Sequence, residues 1–311
     1  MKYDILTILD TCADFVVDLG DSVPEFGQKE KYVDSFSLDM GGSACIFACQ
    51  CAKLGMKTTA IGVVGGDIFG CMVKDALAKS GVDISNIITD KNIKTGLGLH
   101  LKRKDDDRSI LTYSGSIGAV MPGHITDELL QSAKHLHIGS YYLLDGVRDA
   151  LPDILQRAKS FGLTASFDTN WDPSEQWHMP AELLSNVDII LPNRGEALLL
   201  TGCSDMDGAV EKLADKIPVV AVKLGAEGGL AESGGGRMKF PAMSVSVADT
   251  IGAGDNFDAG FIYGYLRGLP IGECLRSGVY CGSTSAEKAG GIAGQATLAG
   301  LLDYLQRGTH I

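Results

Sequence analysis

Short apolar runs alternate with stretches of helical period almost from one end of the chain to the other. Residues 3–9, 58–64, 135–139, 164–168, 187–191 and 219–223 are nearly continuous apolar runs. That is the pattern of strands covered on both faces. Between them, residues 43–54, 69–80, 145–161, 194–201 and 208–216 repeat apolar positions at helical spacing. Such alternation predicts an α/β fold with a central, mainly parallel sheet and helices on both sides. Residues 255–266 and 271–289 predict two further helices joined by a turn at 268–270.

Two segments break the rhythm. Residues 96–103 and 108–113 alternate like strands around the polar turn 104–107, which predicts a hairpin outside the βα pattern. Residues 15–38 lack helical period and offer further strands. Together, about 15–38 and 96–113 predict a small β-sheet that projects from the main body as a lid. An ordinary surface hairpin fits the same pattern.

Composition narrows the class. With 311 residues, 45% of them hydrophobic, the chain can bury a large core as one domain spanning 1–311. A formal net charge of −12 argues against nucleic acid as a partner. No apolar run reaches membrane-spanning length. Asp4, Asp10 and Asp14 interrupt the N-terminal apolar stretch, so it does not read as a signal peptide. Eight cysteines without a C-x-x-C pair fit reduced thiols and a cytoplasmic protein. Cys45 and Cys49 share a helix face, which suits buried thiols and also two metal ligands.

The most informative stretch runs from Asp249 through Gly252-Ala253-Gly254-Asp255 to Phe257. Small residues there leave backbone N–H groups unobstructed at the start of an apolar helix, an arrangement that attracts an anion. Asp255 stands in the first turn beside that position. A carboxylate next to an anion pocket suits phosphoryl transfer to an alcohol: the carboxylate accepts the hydroxyl proton and the donors hold the phosphoryl charge. The positive helix end should keep Asp255 ionised at neutral pH. A glycine-rich turn with a helix-start aspartate is the plainer alternative.

The string resembles the signature of the PfkB (ribokinase-like) carbohydrate kinases, and further matches follow in family order. Gly41-Gly42-Ser43-Ala44 with Lys53-Leu54-Gly55 resembles the first signature, and residues 61–70 the stretch after it. Asn193 to Glu196 resembles the N-x-x-E motif, and Lys223 to Gly228 the K-x-G-x-x-G nucleotide loop. The resemblance implies a ribokinase-like three-layer fold and an ATP-dependent kinase for a small sugar or sugar-like alcohol. It implies Asp255 as general base, with Gly252, Ala253 and Gly254 as anion hole. Asn193 and Glu196 would organise Mg²⁺ through water, while Lys223, Gly225 and Gly228 would approach ATP. Asp14, Gly41, Gly42 and Tyr113 would meet the acceptor. K⁺ or another monovalent cation near Asp249, and a homodimer joined through its lids, follow from the same likeness. Independently, Asn193 and Glu196 have the spacing of a helix capping box, and Lys223 suits a strand-end surface charge.

Some positions depart from the family pattern. Ile46 and Cys12 stand where ribose-specific relatives carry asparagine. No arginine follows the hairpin at Tyr113-Ser114-Gly115-Ser116, and Asp172 stands where an arginine is common. These departures point to an uncharged acceptor other than ribose. A nucleoside or other small-alcohol kinase of the same fold is the alternative enzyme, and a non-catalytic sensor the alternative class. A Rossmann dehydrogenase lacks its G-x-G-x-x-G after the first strand, and no P-loop string exists.

Overall fold

The apolar runs form the strands of one large sheet because each is covered on both faces. The computed structural model describes residues 1–104 and 107–307. In chain order the strands are β1 (Tyr3–Ile8), β2 (Cys12–Asp18), β3 (Ser35–Gly41), β4 (Thr58–Gly65), β5 (Ile87–Asp90), β6 (Gly96–Lys102) and β7 (Arg108–Tyr113). They continue with β8 (Ala133–Ile138), β9 (Thr164–Phe167), β10 (Ile189–Ile190), β11 (Val219–Lys223), β12 (Gly229–Ser233) and β13 (Gly236–Phe240).

The large sheet has the order β13-β12-β11-β10-β9-β8-β1-β4-β5. It is parallel from β5 to β11, and β12 and β13 add an antiparallel edge. Along β1, Leu6 and Ile8 pack into one apolar cluster and Ile5 into another on the opposite face. Burying both faces explains why these strands read as unbroken apolar runs. A polar seam crosses the sheet nonetheless. His135 and His137 share the Ser166 hydroxyl at 2.7 and 2.8 Å, and burial lowers both imidazoles to about 3, so both are neutral.

The chain leaves β1 toward β4 on one side and returns to β8 on the other. That reversal opens a crevice at the carboxyl ends of the strands, where open α/β sheets bind ligands. Over it projects a second sheet of order β3-β2-β6-β7. The projecting sheet was expected from 15–38 and 96–113. Its strands begin earlier, at Cys12, and end later, at Gly41, while residues 19–34 form a long loop containing Pro24. The tip of the predicted turn, Asp105 and Asp106, lies outside the described residues.

Several boundaries differ from the sequence pattern. The helix expected over 145–161 is a short 3-10 turn followed by Leu151–Ser160, with Pro152 in the first turn, where its missing N–H costs nothing. The last predicted helix ends at Ser285, and a further helix, Leu298–Arg307, follows. Strands β5, β12 and β13 were not anticipated, because their outward positions are polar and no continuous apolar run marks them.

Candidate active site

The crevice is a cleft of about 1090 Å³ whose walls include Asp10, Asp14, Asp168, Glu196, Lys223 and Asp255. One end is built by the turn after β1 and by the lid. Asp10 is buried; its carboxylate accepts the N–H groups of Ser43 and Ala44 at 2.9 and 3.0 Å and the Ser140 hydroxyl. It thereby fixes the start of the Ser43–Lys53 helix next to Gly42. Burial raises its carboxyl to about 6 against the pull of those donors. The Asn170 amide bridges the hydroxyls of Ser43 and Ser140 at 3.0 and 3.1 Å.

Asp14 lies on β2, between Gly41 on β3 and Gly98 on β6. A Cβ at Gly41 would stand 2.3 Å from the Asp14 carboxyl carbon, so only glycine leaves room for this side chain. His100, two residues beyond Gly98, approaches Asp14 with Nε2 at 3.3 Å from Oδ1. Strand alternation aims Asp14, Gly98, His100, Ile110 and Thr112 at the cleft. The same alternation turns Tyr113, paired with Leu97, to the opposite face, where it is 54% exposed and does not line the cleft. It therefore does not cover the acceptor as the sequence reading expected.

The other end is the start of the Ala253–Leu266 helix. Gly252 caps it with φ +73°, a left-handed conformation natural to glycine. The Ala253 N–H turns back to the Thr250 carbonyl at 3.2 Å, leaving the Gly254 and Asp255 N–H groups as the first-turn donors facing the cleft. Asn256 ties the turn down, donating to the carbonyls of Gly252 and Gly291 at 2.8 and 3.0 Å. Asp249 accepts the N–H groups of Ile251 and Gly290, both at 3.0 Å.

Lys223 ends β11 directly above this turn, its Nζ 3.6 Å from where a Cβ of Gly254 would be. It is no surface charge. Its ammonium bonds Asp168 at 3.0 Å and Asp258 at 3.1 Å. Carboxylate oxygens of Asp168, Asp255 and Asp258 lie within 4.8 Å of one another. Burial opposes the lysine's charge, but the two aspartates outweigh it and raise its pKa. Asp168 is held below its ordinary value: burial pushes it up, and Lys223 pulls it down further. Asp255 moves the other way, up to about 8, through burial and then the Asp168 charge. The helix end does not keep it ionised at neutral pH, which corrects the sequence expectation.

Asn193 and Glu196 form the capping box that their spacing allows, with Glu196 N–H to Asn193 Oδ1 at 2.9 Å and Asn193 N–H to Glu196 Oε2 at 2.8 Å. The Glu196 carboxyl is buried, and burial with the nearby Asp168 raises it to about 7. A bridge between Asn193 and Lys223 ties this loop to the next. Gly225 and Gly228 line the adjoining bay with Ala242, Met243 and Val279. Asp172 turns away and caps its own loop through Ser174 and Trp177.

One cleft thus gathers Asp14, Gly42, Asn193, Glu196, Lys223, Gly225, Gly228 and the Gly252–Asp255 turn. Gly41 stands behind Asp14, and Asp249 supports the turn from outside the lining. Sequence reasoning missed Asp10, His100, Arg108, Asn170 and Asp258. Asp258 had a legible signal: it follows Asp255 by three residues, on the same helix face. The lid residues had none beyond strand alternation.

A lid-covered crevice at a topological switch point, with an aspartate in the first turn of a helix, defines a phosphotransferase-like α/β enzyme. Residues 6–298 match the family described as "pfkB family carbohydrate kinase", and the chain belongs to that family. It is 29% identical over 326 residues to the 2-dehydro-3-deoxygluconokinase of Bacillus subtilis, covering 100% of this chain and 98% of that protein. It is 31% identical over 268 residues to the 5-dehydro-2-deoxygluconokinase of Geobacillus thermodenitrificans, covering 80% and 79%. The solved Arabidopsis thaliana ribokinase complexed with ribose and ATP superposes with a TM-score of 0.85, covering 98% and 99% of the two chains at 23% identity, which bears on the fold alone. The protein is a carbohydrate kinase with a ribokinase-like fold. Among the described residues, no helix is long and apolar enough to cross a membrane.

Proposed function

We propose that the protein uses ATP to phosphorylate a hydroxyl of a small sugar or sugar-like acceptor, with Asp255 as the general base. The observation that carries this is the position of Asp255: it shares one cleft with Asp14 and stands beside the unpaired first-turn N–H groups. Asp14 and Gly42 hold the acceptor. Its hydroxyl oxygen attacks the γ-phosphorus, the bond to the β–γ bridging oxygen breaks, and the hydroxyl proton passes to Asp255. Gly252, Ala253 and Gly254 shape the turn that receives the phosphoryl charge. Lys223, Gly225 and Gly228 border the bay for the nucleotide.

Mg²⁺ fits this cleft. Glu196 and Asp255 line it together with Asn193, and burial together with the Asp168 charge holds both carboxyls unusually basic, as oxygen donors awaiting a cation are. Glu196 and Asn193 would hold the ion, and it supplies charge neutralisation for the phosphates. A monovalent cation, K⁺ foremost, beside Asp249 belongs to the same proposal. So does a homodimer: the outer face of the lid exposes Phe36, Leu38 and Leu111 beside Tyr113, a surface suited to the lid of a second copy.

The test is ADP release over a panel of neutral sugars, sugar acids and nucleosides, in Na⁺, K⁺ and a bulky organic cation. Asp255→Asn keeps the shape and removes the base. With the best acceptor, kcat should fall by about 10²–10⁴ while ATP affinity changes little. Near-normal turnover in the variant would falsify the assignment and make Asp14 the next carboxylate to examine. Equal rates in all three cations would exclude the monovalent site. A nucleoside preferred over every sugar would favour the nucleoside kinase alternative.

A further inference from the structure

One buried acid sits behind the cleft wall with no part in the transfer step. Asp258 is fully buried, one helical turn after Asp255 in the Ala253–Leu266 helix, and does not line the cleft. Its Oδ2 accepts the Lys223 ammonium at 3.1 Å, while Oδ1 meets no N–H or hydroxyl donor among the described residues. What the carboxyl does meet is another carboxyl. It hydrogen-bonds that of Asp168, whose Oδ2 takes a second Lys223 N–H at 3.0 Å. Of the remaining titratable neighbours, Asp255 lies within 4.8 Å, and Cys51 on the Ser43–Lys53 helix is a thiol that burial keeps protonated.

Ionised carboxyls only accept hydrogen bonds, so two carboxylates cannot bond each other. One proton must therefore lie between Asp168 and Asp258. Their surroundings decide which acid owns it. Burial pushes both up; Lys223 pulls Asp168 back below its ordinary value, whereas Asp258 stays well above its own. Charge counting agrees. With both acids ionised, the lysine would be outnumbered in a buried setting, where uncompensated charge is expensive. With one proton between the acids, the lysine and its two partners are neutral together.

An ammonium has three N–H donors. Asp168 and Asp258 fix two of them. Lys223 itself lines the cleft, its Nζ 3.6 Å from where a Cβ of Gly254 would be. We propose that Asp258 is a positioning residue of the kinase: kept neutral, it gives a proton to Asp168 and an oxygen to Lys223, and so holds the third ammonium N–H toward the phosphoryl group at the Gly252–Asp255 turn. This rests on the kinase reading above and deepens it. An ionised Asp258 would grip the lysine as well, but it would add a negative charge where phosphate must enter and would oppose the ionisation of Asp255. A neutral acid anchors the lysine without either effect.

The experiment compares the wild type with Asp258→Asn and Asp258→Ala. Infrared spectra recorded at about pH 10, where Asp255 and Glu196 are ionised, should show the carbonyl band of a protonated carboxyl in the wild type and lack it in Asp258→Asn. In ADP-release assays, Asp258→Ala frees Lys223 on one side, so kcat should fall about 10–100-fold while the acceptor KM changes little. Asparagine can still donate to Asp168 and accept from Lys223, so Asp258→Asn should recover most of that loss. Its acid limb should stay within about 0.3 pH unit of the wild type, because no charge is removed. A limb lowered by more than about one pH unit would mean that Asp258 is ionised beside Asp255, and overturns the inference. So does a missing infrared band, an Asp258→Ala enzyme with normal kcat, or an asparagine variant no better than alanine. Should Asp258→Ala fail to fold, the band and the limb of Asp258→Asn decide. If no acceptor of any kind is phosphorylated, the kinase reading falls separately, and an absent band still refutes the shared proton.

Discussion

Two effects compete for the ionisation of Asp255, and their sizes predict how the enzyme responds to pH. The helix end favours the carboxylate by about 0.3–1 kcal/mol, less than one pH unit. Asp168 opposes it from no more than 4.8 Å. At an effective dielectric constant of about 20, a unit charge at that range is worth about 3.5 kcal/mol, or roughly 2.5 pH units. Lys223 offsets part of this, and burial adds to it, so the carboxyl settles at about 8. A base must be ionised to accept a proton, so activity should fall as pH falls through that value. With MgATP and a neutral acceptor both kept well below saturation, the apparent rate constant should drop about tenfold per pH unit below 8, and roughly 90-fold between pH 9 and pH 6. That parameter reports the free enzyme, the state described by these distances. Residual activity of Asp255→Asn should lack this limb. A wild-type profile that stays flat down to pH 5 would mean that the helix end prevails over its neighbours, and the electrostatic reasoning would be wrong.

Three further outcomes follow from the same contacts. Lys223→Met leaves Asp168 and Asp258 facing each other without their cation; stability should fall by about 3–5 kcal/mol, visible in denaturant unfolding, and an unchanged midpoint would refute the buried pairing. Glu196→Gln keeps the capping geometry and removes a charge, so the Mg²⁺ concentration for half-maximal rate should rise severalfold; a change confined to the acceptor KM would contradict its metal role. Leu111→Asp puts a charge on the outer face of the lid, so sedimentation should show monomer where the parent is a dimer, and a parent already monomeric would end the lid-pairing proposal.

The central strands were legible because both faces are buried and apolar runs leave little choice. The Gly252–Asp255 turn was legible because small residues before a helix serve few other ends. The lid was legible only as alternation, without its first three residues: Cys12, Ala13 and Asp14 follow β1 after only Leu9, Asp10 and Thr11, with no glycine or proline to mark a turn between the strands. Alternation also gave no sign of which lid face meets the cleft. That is settled by pairing with β3 and β6, contacts far apart in sequence, and Tyr113 was misassigned for this reason. The charge state of Asp255 was hidden for the same cause. Its helix start is local and readable, whereas Asp168 and Lys223 reach it from separate strands, and these distant charges act on it more strongly than the helix end does.

The acidity of the cleft carries one more consequence. A triphosphate brings several negative charges to walls that already hold Asp10, Asp168, Glu196 and Asp255. Lys223 cannot compensate, since Asp168 and Asp258 already take its charge. Backbone N–H groups at the Gly252 turn attract anions by at most a few kcal/mol. Bare nucleotide should therefore bind poorly, and binding should require a divalent cation. Around neutral pH, Glu196 and Asp255 are partly protonated, because burial and Asp168 hold them at about 7 and about 8. A cation among these oxygens favours their ionised forms and drives protons off. Calorimetry of MgATP binding in buffers of different ionisation enthalpy should accordingly reveal net proton release near pH 7, shrinking above pH 9 where both groups are already ionised. Release that persists unchanged at high pH, or uptake at neutral pH, would show that these two carboxyls do not face the bound nucleotide and its metal.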